Sequence, residues 1–199
     1  MKRNILIGLG FIIFITVIFI LSNKVSDGTK AEKELLTGKH YVRIVIEDYG
    51  TIDLELDANI APITVTNFLD LVNNKFYDGL TFHRIIKGFM MQGGHNSYKE
   101  AKNIKGEFTL NGIENNLSHT RGVISMARSD NYNSASSGFF IVHEDSLELD
   151  GKYAAFGYVI NGIEVVDKIC EEAKPINDNG MIEESKQPII KSIRVISND

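Results

Sequence analysis

The feature that most constrains this fold is a series of short segments in which apolar and polar side chains alternate. The first two segments, 41–46 and 51–56, flank the run 48–50, whose Asp-Tyr-Gly sequence is typical of a hairpin turn. Successive side chains of a strand point to opposite faces, so each segment has one apolar face to bury. Further strands are predicted over 122–127, 138–142, 153–160 and 189–196. With a hairpin at 82–94, these strands predict an antiparallel β-barrel, which leaves no exposed sheet edge.

Two segments have helical periodicity instead. Pro62 opens the first, because its missing N–H costs least in the first turn of a helix. The apolar residues then recur at helical spacing (Val65, Phe68, Leu69 and Val72). A second helix is predicted around 164–170. Residues 95–120 are polar, and we expect a long surface excursion with one extended piece near Phe108.

The first 23 residues are predicted to form a membrane anchor. Lys2 and Arg3 precede an uncharged run, 4–23, and about twenty helical residues span a bilayer's hydrocarbon core of about 30 Å. The run ends without an Ala-x-Ala cleavage pattern or a cysteine for lipid attachment. These features favour a retained signal anchor over a cleaved signal peptide.

The anchor predicts three parts: a transmembrane helix at 1–23, a polar tether at 24–39 and a globular domain at 40–199. Positively charged residues flanking such a helix stay on the cytoplasmic side, so Lys2 and Arg3 orient the domain outward. We expect a single-pass protein of the plasma membrane with an extracytoplasmic domain. A form secreted after signal cleavage is the alternative.

Charge and cysteine content exclude some functions. The net charge is −5, and acidic side chains outnumber basic ones over 40–199. Because phosphate neutralisation dominates nucleic-acid affinity, nucleic acid is not an expected partner. Cys170 is the only cysteine, so no intrachain disulfide can form, and its place in an amphipathic helix predicts a packed thiol.

The hairpin at 82–94 is the candidate functional site. If its turn centres on Gly88, Arg84 and Gln92 lie opposite one another and share a face. Phe89 and Met90 add apolar surface beside them. Two interpretations are open from the spacing alone: a strand pair with a hydrated arginine, or a site where something polar binds.

The same run, FHRIIKGFMMQGG, resembles the central motif of the cyclophilin-type peptidyl-prolyl cis-trans isomerases. It is followed in order by GVISMAR at 122–128, GFFI at 138–141 and LDGK at 149–152, which leads to a Phe-Gly pair at 156–157. The resemblance covers about 40–197. It implies a closed eight-stranded antiparallel β-barrel capped by two α-helices, with the active site on its outer surface.

The resemblance also implies roles for individual residues. Arg84 matches the catalytic arginine, and Gln92 matches the glutamine that contacts the substrate backbone beside it. Ala127 and Arg128 occupy the strand end that pairs with a bound peptide. The pocket that receives the proline ring is matched by Phe89, Met90, Phe140 and Leu149, with Tyr153 beside them.

Several positions depart from the family pattern. Gly138 stands where a glutamine is usual, Arg128 where many relatives have asparagine, and Tyr153 where eukaryotic members have histidine. Glu148 replaces a tryptophan important for cyclosporin binding, so cyclosporin is expected to bind weakly. The loop after Gly94 lacks the usual glycine-rich run.

The chemistry implied by the resemblance suits these residues. Rotation about an X–Pro bond crosses a barrier of about 18–20 kcal/mol because it breaks amide resonance. In the twisted transition state the prolyl nitrogen regains its lone pair, and a donor from Arg84 would stabilise that state more than the planar substrate. No metal, cofactor, nucleophile or general base is required. We therefore expect an isomerase acting on proline-containing exported polypeptides; a proline-peptide-binding or chaperone module with little isomerase activity is the alternative.

Overall fold

The computed structural model describes residues 34–95 and 98–197. The predicted anchor at 1–23 and most of the predicted tether therefore lie outside the described residues. Among the residues described, no helix combines the length and apolar character needed to cross a membrane.

The domain is mainly β, with eight antiparallel strands and two α-helices. The helices are α1 (Pro62–Asn73) and α2 (Ile163–Glu172). The strands are β1 (Lys39–Ile46), β2 (Gly50–Asp57), β3 (Phe82–Ile86), β4 (Met90–Gly93), β5 (Val123–Met126), β6 (Phe139–Val142), β7 (Ala155–Asn161) and β8 (Ile190–Ile196). Their order in the sheet is β3-β4-β6-β5-β7-β2-β1-β8. The predicted strands and helices are confirmed.

The sheet curls, but its two edge strands do not meet in a continuous ladder. An isolated bridge joins Thr81 to Ile189, and the Phe82 N–H donates to the Pro188 carbonyl at 3.0 Å. Pro188 has no N–H to return that bond, which stops a regular ladder at this point. The sheet is therefore a curled half-barrel, whereas a barrel closed by strand pairing was predicted.

Alternation in β6 divides the apolar residues between two clusters. Phe139 and Ile141 face the main core under α1, and Phe140 and Val142 face the other side of the sheet. In the main core, five aromatic rings lie with centroids 5.2–5.9 Å apart (Phe68, Tyr77, Phe82, Phe139 and Phe156). The smaller cluster, on the outer face, contains Met90, Val123, Phe140, Val142 and Ala155. It forms the base of the site described below.

The end of the predicted tether contacts the domain. The Leu36 N–H donates to the Thr66 hydroxyl at 2.9 Å, and the Ala58 N–H donates to the Gly38 carbonyl at 2.8 Å. The residues immediately before β1 therefore lie against α1 and the turn that precedes it.

Candidate active site

The hairpin formed by β3 and β4 places its polar residues as the sequence predicts. Arg84 pairs with Gln92, and Ile86 pairs with Met90. Gly88, in the turn, has φ of +79°, a conformation that glycine adopts without steric cost. The prediction that Arg84 and Gln92 lie opposite one another is confirmed.

Arg84 is held by one short and two long contacts. Its Nε donates to the Asn179 carbonyl at 2.7 Å, while Nη1 lies 3.4 Å from Gln92 Oε1 and 3.7 Å from Met90 Sδ. Partial burial lowers the pKa of Arg84 from its usual value, because the charged form loses hydration. The guanidinium is oriented at Nε and keeps other N–H groups for a ligand.

The Asn179 carbonyl is a part of this site that the sequence did not reveal. It belongs to a turn, 177–180, that lies against the edge of β3. The Ile85 N–H donates to the Gly180 carbonyl at 2.8 Å, and Gly180 has φ of +81°. A Cβ at this position would lie 2.9 Å from the Ile85 carbonyl oxygen, so glycine permits the close approach.

The nine residues predicted for the site surround one cavity of about 220 Å³. They come from both strands of the hairpin, from β6, from the end of β5 and from the segment before β7. The lining residues are Arg84, Phe89, Met90, Gln92, Ala127, Arg128, Phe140, Leu149 and Tyr153. The cavity is smaller than a site for a drug-sized molecule, and its size suits one side chain of a larger ligand.

Phe140 forms the base of this cavity and is held from two sides. Its ring makes an edge-to-face contact with Tyr153, with centroids 5.9 Å apart, and stacks on His119 at 6.0 Å. His119 is in turn bonded to Asp150 at 2.8 Å and to the Ser125 hydroxyl at 3.0 Å. Burial lowers the pKa of His119 and outweighs the opposing effect of Asp150. The apolar base is therefore fixed by a neutral histidine behind it.

Arg128 lies among three aromatic rings. Its guanidinium carbon is 4.6 Å from the ring centre of Tyr153, 4.9 Å from that of Tyr132 and 5.0 Å from that of Phe108. Nε and Nη2 donate to the Lys152 carbonyl at 3.0 and 2.8 Å, and Nη1 donates to the Ser129 carbonyl at 2.8 Å. Phe108 and Tyr132 were not identified as part of the site, because Phe108 lies in a loop distant in sequence from Arg128 and Tyr132 contacts Arg128 only through the fold of the loop that both share.

His83 departs from the alternation of a regular strand. Strict alternation places His83 on the face opposite Arg84, but the register shifts between Phe82 and Arg84. The extra residue forms a bulge, which redirects the side chain. His83 Nε2 accordingly lies 3.5 Å from the Gln92 amide nitrogen. Burial, together with His95 and Arg84, lowers the pKa of His83.

Two other features do not belong to this site. A larger cavity of about 670 Å³ lies beside the end of α2, but none of the nine predicted residues lines it. Its walls are rich in exposed charged side chains, including Glu171, Glu183 and Lys186.

Cys170 is buried, and burial raises the pKa of its thiol to about 12, so the predicted packed thiol is confirmed. Among the described residues, no group of three or more His, Cys, Asp or Glu side chains is placed to hold a metal ion.

Comparison with known proteins finds relatives that cover most of the described domain. The profile of the family described as "Cyclophilin type peptidyl-prolyl cis-trans isomerase/CLD" matches residues 41–195. A protein of Dickeya dadantii named "Peptidyl-prolyl cis-trans isomerase A" is 46% identical over 127 residues, covering 61% of this chain and 67% of the relative. A peptidyl-prolyl cis-trans isomerase of Acinetobacter baylyi is 41% identical over 155 residues, covering 74% of this chain and 81% of the relative.

The fold has a counterpart among solved structures. A cyclophilin-type peptidyl-prolyl cis-trans isomerase of Cryptosporidium parvum superposes with a TM-score of 0.69 at 29% identity, covering 81% of this chain and 99% of the other. A second structure of that protein, obtained in the presence of the dipeptide Ala-Pro, has a TM-score of 0.68. By sequence and by fold, this chain belongs to the family of cyclophilin-type peptidyl-prolyl cis-trans isomerases.

Proposed function

We propose that this chain accelerates X–Pro isomerisation by a hydrogen bond from Arg84 to the prolyl nitrogen in the twisted transition state. The observation that carries the proposal is the position of the guanidinium at the edge of a cavity with an apolar base. Nε is anchored on the Asn179 carbonyl, and Nη1 faces Gln92 and Met90. Within the described part of the chain, no group accepts a hydrogen bond from Arg84 Nη2, so its donors remain for substrate.

The bond change is a rotation, so the site needs only to bind the twisted form better than the planar one. The planar prolyl nitrogen is a poor acceptor because its lone pair is delocalised into the carbonyl. A fixed donor therefore gains its hydrogen bond mainly in the transition state. Phe89, Met90, Phe140 and Leu149 hold the ring and exclude water, which leaves the interaction poorly screened.

Replacing Arg84 by alanine tests this assignment. We expect kcat/KM for a proline peptide to fall by about 10²–10³, as when one preorganised transition-state donor is removed from an enzyme. Exchange NMR on a cis/trans peptide measures the rate, and circular dichroism checks the fold. A matched control is Arg43→Ala, since Arg43 pairs with Asp53 on strands that contribute nothing to the cavity. Equal rates in Arg84→Ala and the unaltered protein would remove Arg84 from the mechanism.

The second candidate function is a binding or chaperone module with little isomerase activity. Gly138 favours it, because the family's usual glutamine contact to peptide is missing, although a Cβ at this position would make only an ordinary contact with Ala127. Peptide binding measured by calorimetry, without acceleration in the exchange experiment, would support this alternative. Acceleration of the X–Pro exchange would exclude it.

We further propose that the clients are exported proteins and that the domain faces outward from the plasma membrane. The basic pair Lys2 and Arg3 ahead of the apolar run supports this orientation. Protease added to intact cells should digest the domain, and mass spectrometry should find residues 1–23 retained. A mature amino terminus after this segment would instead support the secreted form.

We also propose that cyclosporin binds weakly, because Glu148 and Tyr153 replace residues that the family's cyclosporin binders carry. Inhibition titrations should need micromolar cyclosporin or more. Inhibition at nanomolar concentrations would contradict this proposal.

A further inference from the structure

The arginines of the described part of the chain fall into two groups. Arg43, Arg121 and Arg194 each donate two hydrogen bonds to one aspartate, at 2.6–2.8 Å. Their partners are Asp53, Asp167 and Asp78. Arg84 and Arg128 form no ion pair with a described carboxylate, and both line the same cavity. The two arginines without a carboxylate partner thus lie together at the active site.

This separation is unexpected in an acidic domain. Acidic side chains outnumber basic ones over 40–199, and a guanidinium matches a carboxylate in shape and charge. Yet the cavity lining contains two guanidiniums and no carboxylate. The positive charge at the cavity is therefore not neutralised by its lining, and a low-dielectric wall concentrates its field on whatever binds there.

The groups around Arg128 hold its guanidinium in place without neutralising its charge. Its described hydrogen-bond acceptors are the Lys152 and Ser129 carbonyls, which are neutral, and its flanking groups are the rings of Phe108, Tyr132 and Tyr153. A guanidinium has five N–H groups, and these bonds use three of them. One N–H on Nη1 and one on Nη2 are left for a ligand.

From this arrangement we infer that Arg128 forms a subsite for a carboxylate on a residue that flanks the substrate proline. Substrates with an acidic residue beside the proline would then be preferred over neutral ones. The inference rests on the proposed function, because the proline ring must occupy the cavity for a neighbouring side chain to reach Arg128. Arg128 acts here on substrate selection, while Arg84 acts on the reacting nitrogen.

The experiment compares matched peptides with the full chain in mild detergent. Each pair carries glutamate or glutamine next to the proline, either immediately before or immediately after it, with both peptide ends blocked. Exchange NMR measures kcat/KM without a coupling protease that has its own charge preference. For at least one position we expect glutamate to be preferred by about threefold to tenfold at low ionic strength, as for a charge-assisted pair at a partly exposed site.

Two variants assign that preference to Arg128. In Arg128→Gln the glutamate-to-glutamine ratio should fall to about one, whereas in Arg43→Gln it should keep the wild-type value, because the paired Arg43 lies outside the cavity. Arg128→Lys should keep part of the preference, since lysine retains the charge but not the planar fork. Adding salt to about 0.5 M should lower the wild-type ratio, because the Debye length shortens.

The ratio is taken within each protein, so a partial loss of folded enzyme lowers both rates and leaves it unchanged. A wild-type ratio of one at both positions, or a preference that persists in Arg128→Gln, would overturn the inference. Failure of the proposed function is a different result, since the unaltered protein would then accelerate neither peptide of any pair.

Discussion

On one side of the cavity, Arg84 is anchored at a single atom, whereas on the other side Arg128 is enclosed by rings and carbonyls. The first side, which we call the hairpin wall, consists of Arg84, Met90 and Gln92. The second, the ring wall, consists of Arg128 and Tyr153 together with Phe140, whose ring forms the base between the two walls. Arg84 has one bond of 2.7 Å and two longer contacts, but Arg128 has three bonds of 2.8–3.0 Å and three flanking rings.

The difference in how the arginines are held suggests that Arg84 acts in the transition state and that Arg128 acts in substrate binding. A donor that must meet a nitrogen only in the transition state needs unused N–H groups, which the hairpin wall leaves on Arg84. A surface that binds substrate in ground and transition state alike needs a fixed shape, which the ring wall has. Changes to Arg84 or its anchor should therefore act mainly on kcat, and changes to Arg128 or Tyr153 mainly on KM.

The largest expected effect in this comparison comes from Gly180→Ala, which disturbs the anchor of the hairpin wall. An added Cβ would meet the Ile85 carbonyl and the Ile86 side chain, so the turn and the Asn179 carbonyl must move. We expect kcat to fall about tenfold and the free energy of unfolding to drop by about 1–3 kcal/mol. Steady-state kinetics and urea unfolding measure both.

The control for this variant is Gly112→Ala. Gly112 has φ of +75°, close to that of Gly180, but an added Cβ would meet nothing within 4 Å. Gly112→Ala therefore has the same backbone strain as Gly180→Ala but no steric clash. If both variants lower kcat equally, the position of the turn is not what orients Arg84.

The next largest effect is expected for Tyr153→Ala, which removes one aromatic ring from the ring wall. Its ring contacts both Phe140 and the Arg128 guanidinium, and an aromatic contact contributes about 0.5–1.5 kcal/mol beyond its buried area. We expect KM to rise about fivefold while kcat changes less than about twofold. Tyr153→Phe, which keeps the ring, should restore most of the affinity. A fall confined to kcat would contradict the division between the walls.

Much of the hairpin wall could be predicted from the sequence, because it depends on local pattern. Alternation and a turn at Gly88 were enough to place Arg84 opposite Gln92. The residues of both walls were matched from the family motifs, and the structure brings them around one cavity. Their roles in binding and catalysis remain predictions.

What could not be predicted depends on contacts between distant segments. Asn179 anchors Arg84 through its backbone carbonyl, which every residue type possesses, so its identity carries no signal. Phe108 reaches Arg128 only once two loops have folded together, and Tyr132 reaches it only once the loop after β5 has folded back on itself. The bulge at His83 arises from the register of β3 against β4, and a single-strand pattern does not contain that information.

A smaller effect on KM, of opposite sign, is expected when a side chain is added at Gly138. A Cβ at Gly138 would lie 3.5 Å from the Ala127 Cβ, an ordinary contact, so a side chain fits there. We expect Gly138→Gln to lower KM by about twofold to threefold, since one net hydrogen bond contributes about 0.5–1.5 kcal/mol before the cost of ordering the side chain. Gly138→Ala, which adds bulk without an amide, should not lower KM. The same titration of initial rates against peptide concentration distinguishes them.

A last difference between the walls concerns the pH dependence of stability, because each wall has one histidine beside it. His83 lies beside Gln92, His119 stacks on Phe140, and burial lowers the pKa of both. The unfolded chain binds a proton at each position below about pH 6.5, and the folded protein resists it. Stability is therefore complete above that pH and is lost as pH falls through the lowered folded-state pKa values.

The loss should reach at most about 1.4 kcal/mol per pH unit for each histidine, measured by urea unfolding between pH 7 and pH 5. Aspartates whose pKa values are lowered by arginine partners, such as Asp53 and Asp167, contribute only at more acidic pH. At His119 the bond to Asp150 opposes the effect of burial, whereas burial, His95 and Arg84 all lower the pKa of His83, so His83→Gln should reduce the slope at least as much as His119→Gln. An unchanged slope in both variants would mean that neither histidine resists protonation in the folded protein.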